Sequence, residues 1–148
     1  MPVNKSVQRF RALTLDMQKT VRENAVNELN RQAGILKDAI ASVAPIYEGP
    51  PEAGVTPGAL KASVGVKPGN KETIVRVIAG GSTTTRKGVS GREFDYSRAA
   101  EFGTQQNGAQ PFFFPTYRLM KKKIVASMKR RISLQIKKYS AAQGGGNV

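Results

Sequence analysis

Glu101-Phe102-Gly103-Thr104, followed after a polar loop by Pro111-Phe112-Phe113-Phe114-Pro115, is the stretch on which the reading of the fold turns. Each proline ring fixes its own backbone and biases the preceding residue toward extended structure, so three phenylalanines between prolines predict a rigid, extended strap. Side chains alternate along an extended segment, so Phe112, Phe113 and Phe114 do not all point inward, and at least one belongs on the surface or in an interface. Upstream, Phe102 is expected to anchor in the core. Gly103 permits a positive backbone dihedral or a close backbone approach, and Thr104 is placed to hydrogen-bond local backbone.

The same stretch divides the charge. No carboxylate follows Glu101, whereas Arg118, Lys121, Lys122, Lys123, Lys129, Arg130, Arg131, Lys137 and Lys138 all do, in a chain of formal net charge +14. Such a polycation suits nucleic-acid phosphates, which it neutralises with release of counterions. A solvated face, or one that meets an acidic protein, is the competing reading of the same residues.

After the strap the spacing predicts a basic C-terminal helix over residues 116–139, with Met120, Ile124, Met128, Ile132, Ile136 and Tyr139 as its apolar stripe. Residues 140–148 read as a flexible tail. Toward the N-terminus, Phe10, Leu13, Met17, Val21, Leu29, Leu36, Ile40 and Val43 recur at helical spacing and predict one long amphipathic helix over 3–43, mixed in charge on its polar face. Its stripe serves the chain's own core or, less commonly, a neighbouring subunit. Pro50, Pro51, Pro57 and the glycines around them make a turn-rich connector.

Residues 58–115 hold the predicted sheet and loops. Leu60 to Val66 reads as a helical turn or a first strand, Glu72 to Ala79 as a β-branched strand, and Pro68-Gly69-Asn70-Lys71 between them as a hairpin turn. Residues 80–92, with Gly81, Arg86, Lys87 and Arg92, are polar and glycine-rich, which predicts an exposed, mobile loop that orders on a partner. Asp95 to Glu101 reads as a short helix or a strand end. The expected class is therefore α+β: one domain over 1–139, a small antiparallel sheet packed with the long N-terminal and basic C-terminal helices.

Composition narrows the chemistry. The 148 residues include no cysteine and no histidine, so thiolate nucleophiles, disulfides, imidazole bases and the commonest zinc ligands are absent. Gly80-Gly81-Ser82-Thr83 lacks the glycine-lysine context of a phosphate-binding loop. Glu93, Asp95 and Glu101 are close enough in sequence to suggest an acid/base pair or a metal-dependent nuclease site, with salt bridging as the commoner use of acids in so basic a chain. No cofactor is expected. The chain lacks an apolar run of the roughly 18 residues that span a bilayer, and Met1-Pro2-Val3-Asn4-Lys5 has no apolar signal core, so assembly in a cytoplasm without a membrane partner is the expectation.

In order and spacing these segments resemble the small head-tail joining, or neck and tail-completion, proteins of long-tailed bacteriophages. That family's pattern is a long helix, a Pro-x-x-Thr-Gly-x-Leu-x-x-Ser segment, Glu-Phe-Gly-Thr, Pro-Phe-x-x-Pro-Ala and a basic helix, and the chain has counterparts of these in the same order. The elements are Ala44-Pro45, far upstream of Thr56-Pro57-Gly58-Ala59-Leu60-Lys61-Ala62-Ser63-Val64 with a proline inserted between Thr56 and Gly58, then Glu101 to Thr104, then Pro111 to Pro115, with Thr116 where alanine is usual. The resemblance implies a non-enzymatic virion protein, assembled in the bacterial host, whose subunits form a ring in the neck between portal and tail tube. Implied partners are copies of itself, the neighbouring connector and tail-tube proteins, and packaged double-stranded DNA. Phe102, Gly103 and Phe112 to Phe114 become candidates for subunit contact, and Lys121, Lys122, Lys123, Lys129, Arg130, Arg131, Lys137 and Lys138 for the DNA channel or an acidic partner. A free-standing nucleic-acid-binding protein without sequence preference is the alternative.

Overall fold

A computed structural model describes residues 5–49, 55–88 and 90–144. The expected helix residues 3 and 4, the prolines of the connector at 50 and 51, and the tail end at 145–148 lie outside the described residues. The elements in chain order are α1 (Lys5–Val43), α2 (Ala59–Ser63), β1 (Gly65–Pro68), β2 (Val75–Ile78), β3 (Thr85–Lys87), β4 (Glu93–Asp95), α3 (Tyr96–Phe102) and α4 (Phe113–Gly144). The class is α+β. No helix among the described residues is long and apolar enough to cross a membrane.

The chain groups into two compact units, Met1–Arg31 with Lys123–Val148, and Gln32–Lys122. The first is a pair of helical segments. The Tyr139 hydroxyl donates toward Leu13 O at 3.1 Å and Asp16 Oδ2 at 2.9 Å, and the Ser127 hydroxyl donates to Glu28 Oε1 at 2.9 Å. Low numbers on α1 thus meet high numbers on α4, so the two segments run antiparallel. Glu28 is buried in the seam and chelated by its own helical neighbour, with Arg31 Nη2 and Nε at 2.8 and 3.0 Å. Two helices alone cannot enclose a core, and every buried hydrophobic side chain among the described residues belongs to the other unit. The predicted stripes are correspondingly incomplete: Phe10 and Ile136 are exposed, and so is Val43 beyond this unit.

In the second unit Ala33, Leu36, Ile40 and Ala44 follow one another at three and four residues on the last turns of α1 and just past its end, and with Val55, Leu60, Val64 and Phe112 they form the buried core. The sheet expected as one piece is two antiparallel ladders. In the first, β1 and β2 pair with Gly65 opposite Ile78 and Pro68 opposite Val75. Here β2 starts later than its β-branched sequence suggests, because Glu72 to Ile74 are drawn into the turn, where the Gly69 N–H donates to Ile74 O at 2.8 Å.

The second ladder overturns the expectation of a mobile loop at 80–92. From that segment β3 pairs with β4, which follows it, Thr85 opposite Asp95 and Lys87 opposite Glu93, and Thr84 is wholly buried. What makes a polar, glycine-rich segment fold back is the carboxylate of Asp95. It accepts from Thr84 Oγ1 at 2.7 Å, from the Gly81 N–H at 2.9 Å and from the Ser97 N–H at 2.9 Å. Asp95 thereby caps α3 and ties the loop to it.

The extended strap is also corrected. Phe113 and Phe114 are the first residues of α4, and Pro115 sits inside its first turn. A proline is tolerated there because the first-turn N–H groups have no intrahelical partner to lose. At the other end α4 continues to Gly144, five residues past the expected stop at 139.

A carboxylate clasp and a candidate contact surface

One side chain joins the end of α3 to the start of α4. Glu101 lies in the last turn of α3, 7% exposed, and its two oxygens accept from three successive backbone N–H groups: Phe112 at 2.8 Å, Phe113 at 2.9 Å and Phe114 at 3.0 Å. A helix starting at Phe113 leaves four donors without partners, those of residues 112 to 115. Proline has no N–H, and Glu101 takes the other three. Its negative charge also sits at the positive end of the α4 dipole.

The return loop that brings Phe112 to Glu101 is set by Gly103 and Thr104. Gly103 ends α3 at φ 76° and ψ 175°, a conformation open in practice to glycine alone, with its N–H donating to Ala99 O at 2.8 Å. A Cβ here would lie 2.8 Å from Ala109 N, so glycine is required by space as well as by angle. Thr104 Oγ1 accepts from the Asn107 N–H at 3.0 Å, while its own N–H donates to Asn107 O at 2.8 Å, closing the loop. Gln110 N–H then donates to Ala100 O at 2.8 Å, which fixes the chain beside α3 just before Phe112. The roles read for Gly103 and Thr104 are those the backbone uses.

Phe102 is not a core anchor. It is 65% exposed and lies beside Phe114, itself 44% exposed, with ring centroids 6.0 Å apart. Phe113 is half-buried and packs edge-on to both its neighbours, at 6.4 Å from Phe112 and 5.6 Å from Phe114. Only Phe112 enters the core. The order buried, half-buried, exposed is what a rotation of about 100° per residue gives, in place of the strict alternation of a strand. Phe102 and Phe114 therefore form an aromatic pair on the surface, and the Glu101 clasp holds its two halves together.

The basic candidates Lys121, Lys122, Lys123, Lys129, Arg130, Arg131, Lys137 and Lys138 are all exposed along α4. Lys123, Arg130 and Lys137 recur every seven residues, two helical turns or about 10.5 Å, and so share a side of the helix. Of the loop candidates, Gly81 spends its N–H on Asp95, and Arg86 stacks over the rings of Phe94 and Tyr96, with its guanidinium carbon 5.0 and 5.8 Å from their centroids. Lys87 and Arg92 are exposed at the hairpin.

The acids considered for catalysis are placed otherwise than expected. Asp95 and Glu101 each serve a different helix N-terminus through backbone N–H groups, and Glu93 is exposed on β4. Among the described residues no group of three or more carboxylates gathers in a way that could hold a metal ion. The use of Glu101 and Asp95 as caps was missed from sequence. Asp95 two residues before Ser97, at the start of a helical segment, was a legible local signal; the partners of Glu101 lie eleven to thirteen residues away and left none.

Burial alone raises the Glu101 carboxyl, but the N–H groups of residues 112 to 114 and the charge of Arg118 outweigh it, leaving the group below its ordinary value. Asp95 is likewise lowered: burial opposes, and the hydrogen bonds from Ser97, Thr84 and Gly81 prevail. Groups with depressed folded values stabilise the fold fully above their unfolded values, and that contribution is lost as pH falls through the folded ones. Denaturant midpoints measured from pH 7 to pH 2 are therefore expected to hold near neutrality and to fall below about pH 4, the ordinary carboxylate range. The slope should be shallower in Glu101→Gln. An unchanged acid slope in that variant would contradict the clasp.

No protein-family model, no curated protein and no solved structure matches this chain.

Proposed function

We propose that this chain is a structural virion protein of a tailed bacteriophage, whose copies form a ring in the neck that joins head to tail or completes the tail around the DNA channel. The observation that carries this reading is the coupling of its two most specific motifs. Glu-Phe-Gly-Thr and Pro-Phe-Phe-Phe-Pro are joined through Glu101, and together they expose Phe102 beside Phe114. Adjacent large aromatic side chains on a surface suit a subunit contact, where they anchor most strongly once water is excluded. A patch on one face that meets a different face of the next copy closes into a ring when the rotation allows. The charge supports the rest. Residues 1–31 carry six basic and three acidic side chains and residues 123–148 carry six basic and none acidic, which suits the phosphates of DNA passing a lumen without sequence readout.

Replacing Phe102 by serine tests the patch. Monomer stability is expected to change by no more than about 0.5 kcal/mol, as for other surface positions. Rings seen by electron microscopy, or a mass that climbs with concentration in light scattering, are expected to disappear. Rings that survive Phe102→Ser would remove the aromatic pair from the interface. A free-standing nucleic-acid-binding protein is favoured by the exposed basic residues of α4 alone. It predicts a monomer or dimer that binds duplex DNA tightly, with an affinity that falls steeply between 50 and 200 mM salt, about 10³-fold or more for six phosphate contacts.

A further inference from the structure

The second unit carries a cleft of about 260 Å³ whose apolar lining includes Ile46, Val55, Leu60, Ala99 and Ala100. Val55 and Leu60 are buried beneath it, whereas Ile46 is 57% exposed, so apolar surface lies open to water at its edge. The one charged side chain among its described lining residues is Arg86, whose guanidinium is already stacked on the rings of Phe94 and Tyr96. The cleft therefore suits an uncharged, apolar occupant. An engineered apolar cavity of about 150 Å³ takes up benzene, so there is room here for one phenyl ring.

Such a ring stands on the same short helix. Tyr96, Ala99 and Ala100 of α3 line the cleft. At about 100° per residue, Phe102 comes round to about 120° from Tyr96 and about 160° from Ala100. Phe102 is the most exposed aromatic side chain of this unit among the described residues, and it faces away from the cleft of its own copy. A knob on one face and a hole on another make a head-to-tail contact, the kind that closes into rings when the rotation allows. A second copy supplies both: its ring fills the cleft, and its own cleft is left for the next.

We propose that the Phe102 ring of one copy enters the cleft of the next, against Ile46, Leu60 and Ala100. Phe114, with its ring centroid 6.0 Å from that of Phe102, closes over the edge. This contact rests on the ring reading above, to which it adds the receiving surface.

Light scattering across concentration tests it with two variants, alone and mixed. Phe102→Ser keeps the cleft and loses the ring. Ile46→Glu keeps the ring and puts a charge beside the cleft, at an exposed position where the fold tolerates it. The parent is expected to grow in mass with concentration, and each variant alone to associate roughly thirtyfold more weakly, as when a central aromatic anchor is lost. An equimolar mixture should regain the parent's affinity but stop at a dimer, because it holds one intact pairing of ring and cleft and no second. Should Ile46→Glu lower the melting temperature, Gly108→Trp takes its place, since Gly108 borders the cleft and a Cβ there meets nothing within 4 Å. A parent that stays monomeric up to about 1 mM would overturn the contact and the ring reading together. Association unchanged in Phe102→Ser would overturn the contact by removing its knob. Association lost in Phe102→Ser but unchanged in the folded cleft variant would overturn the contact and leave the ring reading standing, as would a mixture that stays monomeric or grows past the dimer.

Discussion

Glu101→Ala is expected to be the most destabilising single change outside the apolar core, by about 3–5 kcal/mol, because it leaves three N–H groups at the start of α4 without acceptors and removes a charged member of a buried network. For a chain of this size that corresponds to a fall of roughly 10 °C in melting temperature. Glu101→Gln separates the parts of the effect. The amide keeps the shape and one acceptor oxygen but turns an NH₂ toward backbone donors, so about 1–2 kcal/mol should be lost. Denaturant midpoints give both values, provided that the slope with denaturant stays constant. Hydrogen exchange gives the location: protection of the amides of Phe112, Phe113 and Phe114 should drop in Glu101→Ala well before that of the core residues of α1. A variant as stable as the parent would mean that water replaces the carboxylate without penalty, and the clasp would lose its structural weight.

How much of this was legible from the sequence follows from the range of the interactions. The two long helices were readable because apolar spacing is a local signal repeated many times, and Gly103 and Thr104 because their partners lie within a few residues. The start of α4 was not. Pro111 and Pro115 bias their neighbours locally toward extended backbone, and what overrides that bias is Glu101, on another helix and more than ten residues upstream. The hairpin that β3 makes with β4 was hidden for the same reason, since its organiser is Asp95 and the composition of residues 80–92 is that of a mobile segment. Both errors concern a carboxylate. In so basic a chain the acids invite pairing with lysine and arginine, yet Asp95 and Glu101 are used where backbone N–H groups converge, and there a single side chain satisfies three donors at once. The exposed Phe102 is a consequence: with Glu101 turned inward to α4, its successor on α3 is carried outward.

The three phenylalanines supply a decisive series, because helix and strap rank them differently. In an extended strap Phe112 and Phe114 share a side, so their truncations should resemble one another and differ from that of Phe113. With the helix starting at Phe113 the effects should instead decline along the chain. Phe112 is 3% exposed in the core, and Phe112→Ala is expected to cost about 3–5 kcal/mol, the range for a buried aromatic ring. Phe113→Ala removes a half-buried ring with two edge-on partners, for about 1–2 kcal/mol. Phe114→Ala removes an exposed ring in contact with Phe113 and the exposed Phe102, and about 1 kcal/mol or less should follow. In the ring proposed above the order should reverse for Phe114, whose loss is expected to disrupt the proposed subunit contact together with Phe102 while leaving the monomer folded. Thermal melts of the three variants, each paired with its mass in solution, read both scales at once. Equal destabilisation by Phe112→Ala and Phe114→Ala would restore the extended strap and move the aromatic contact surface to Phe113.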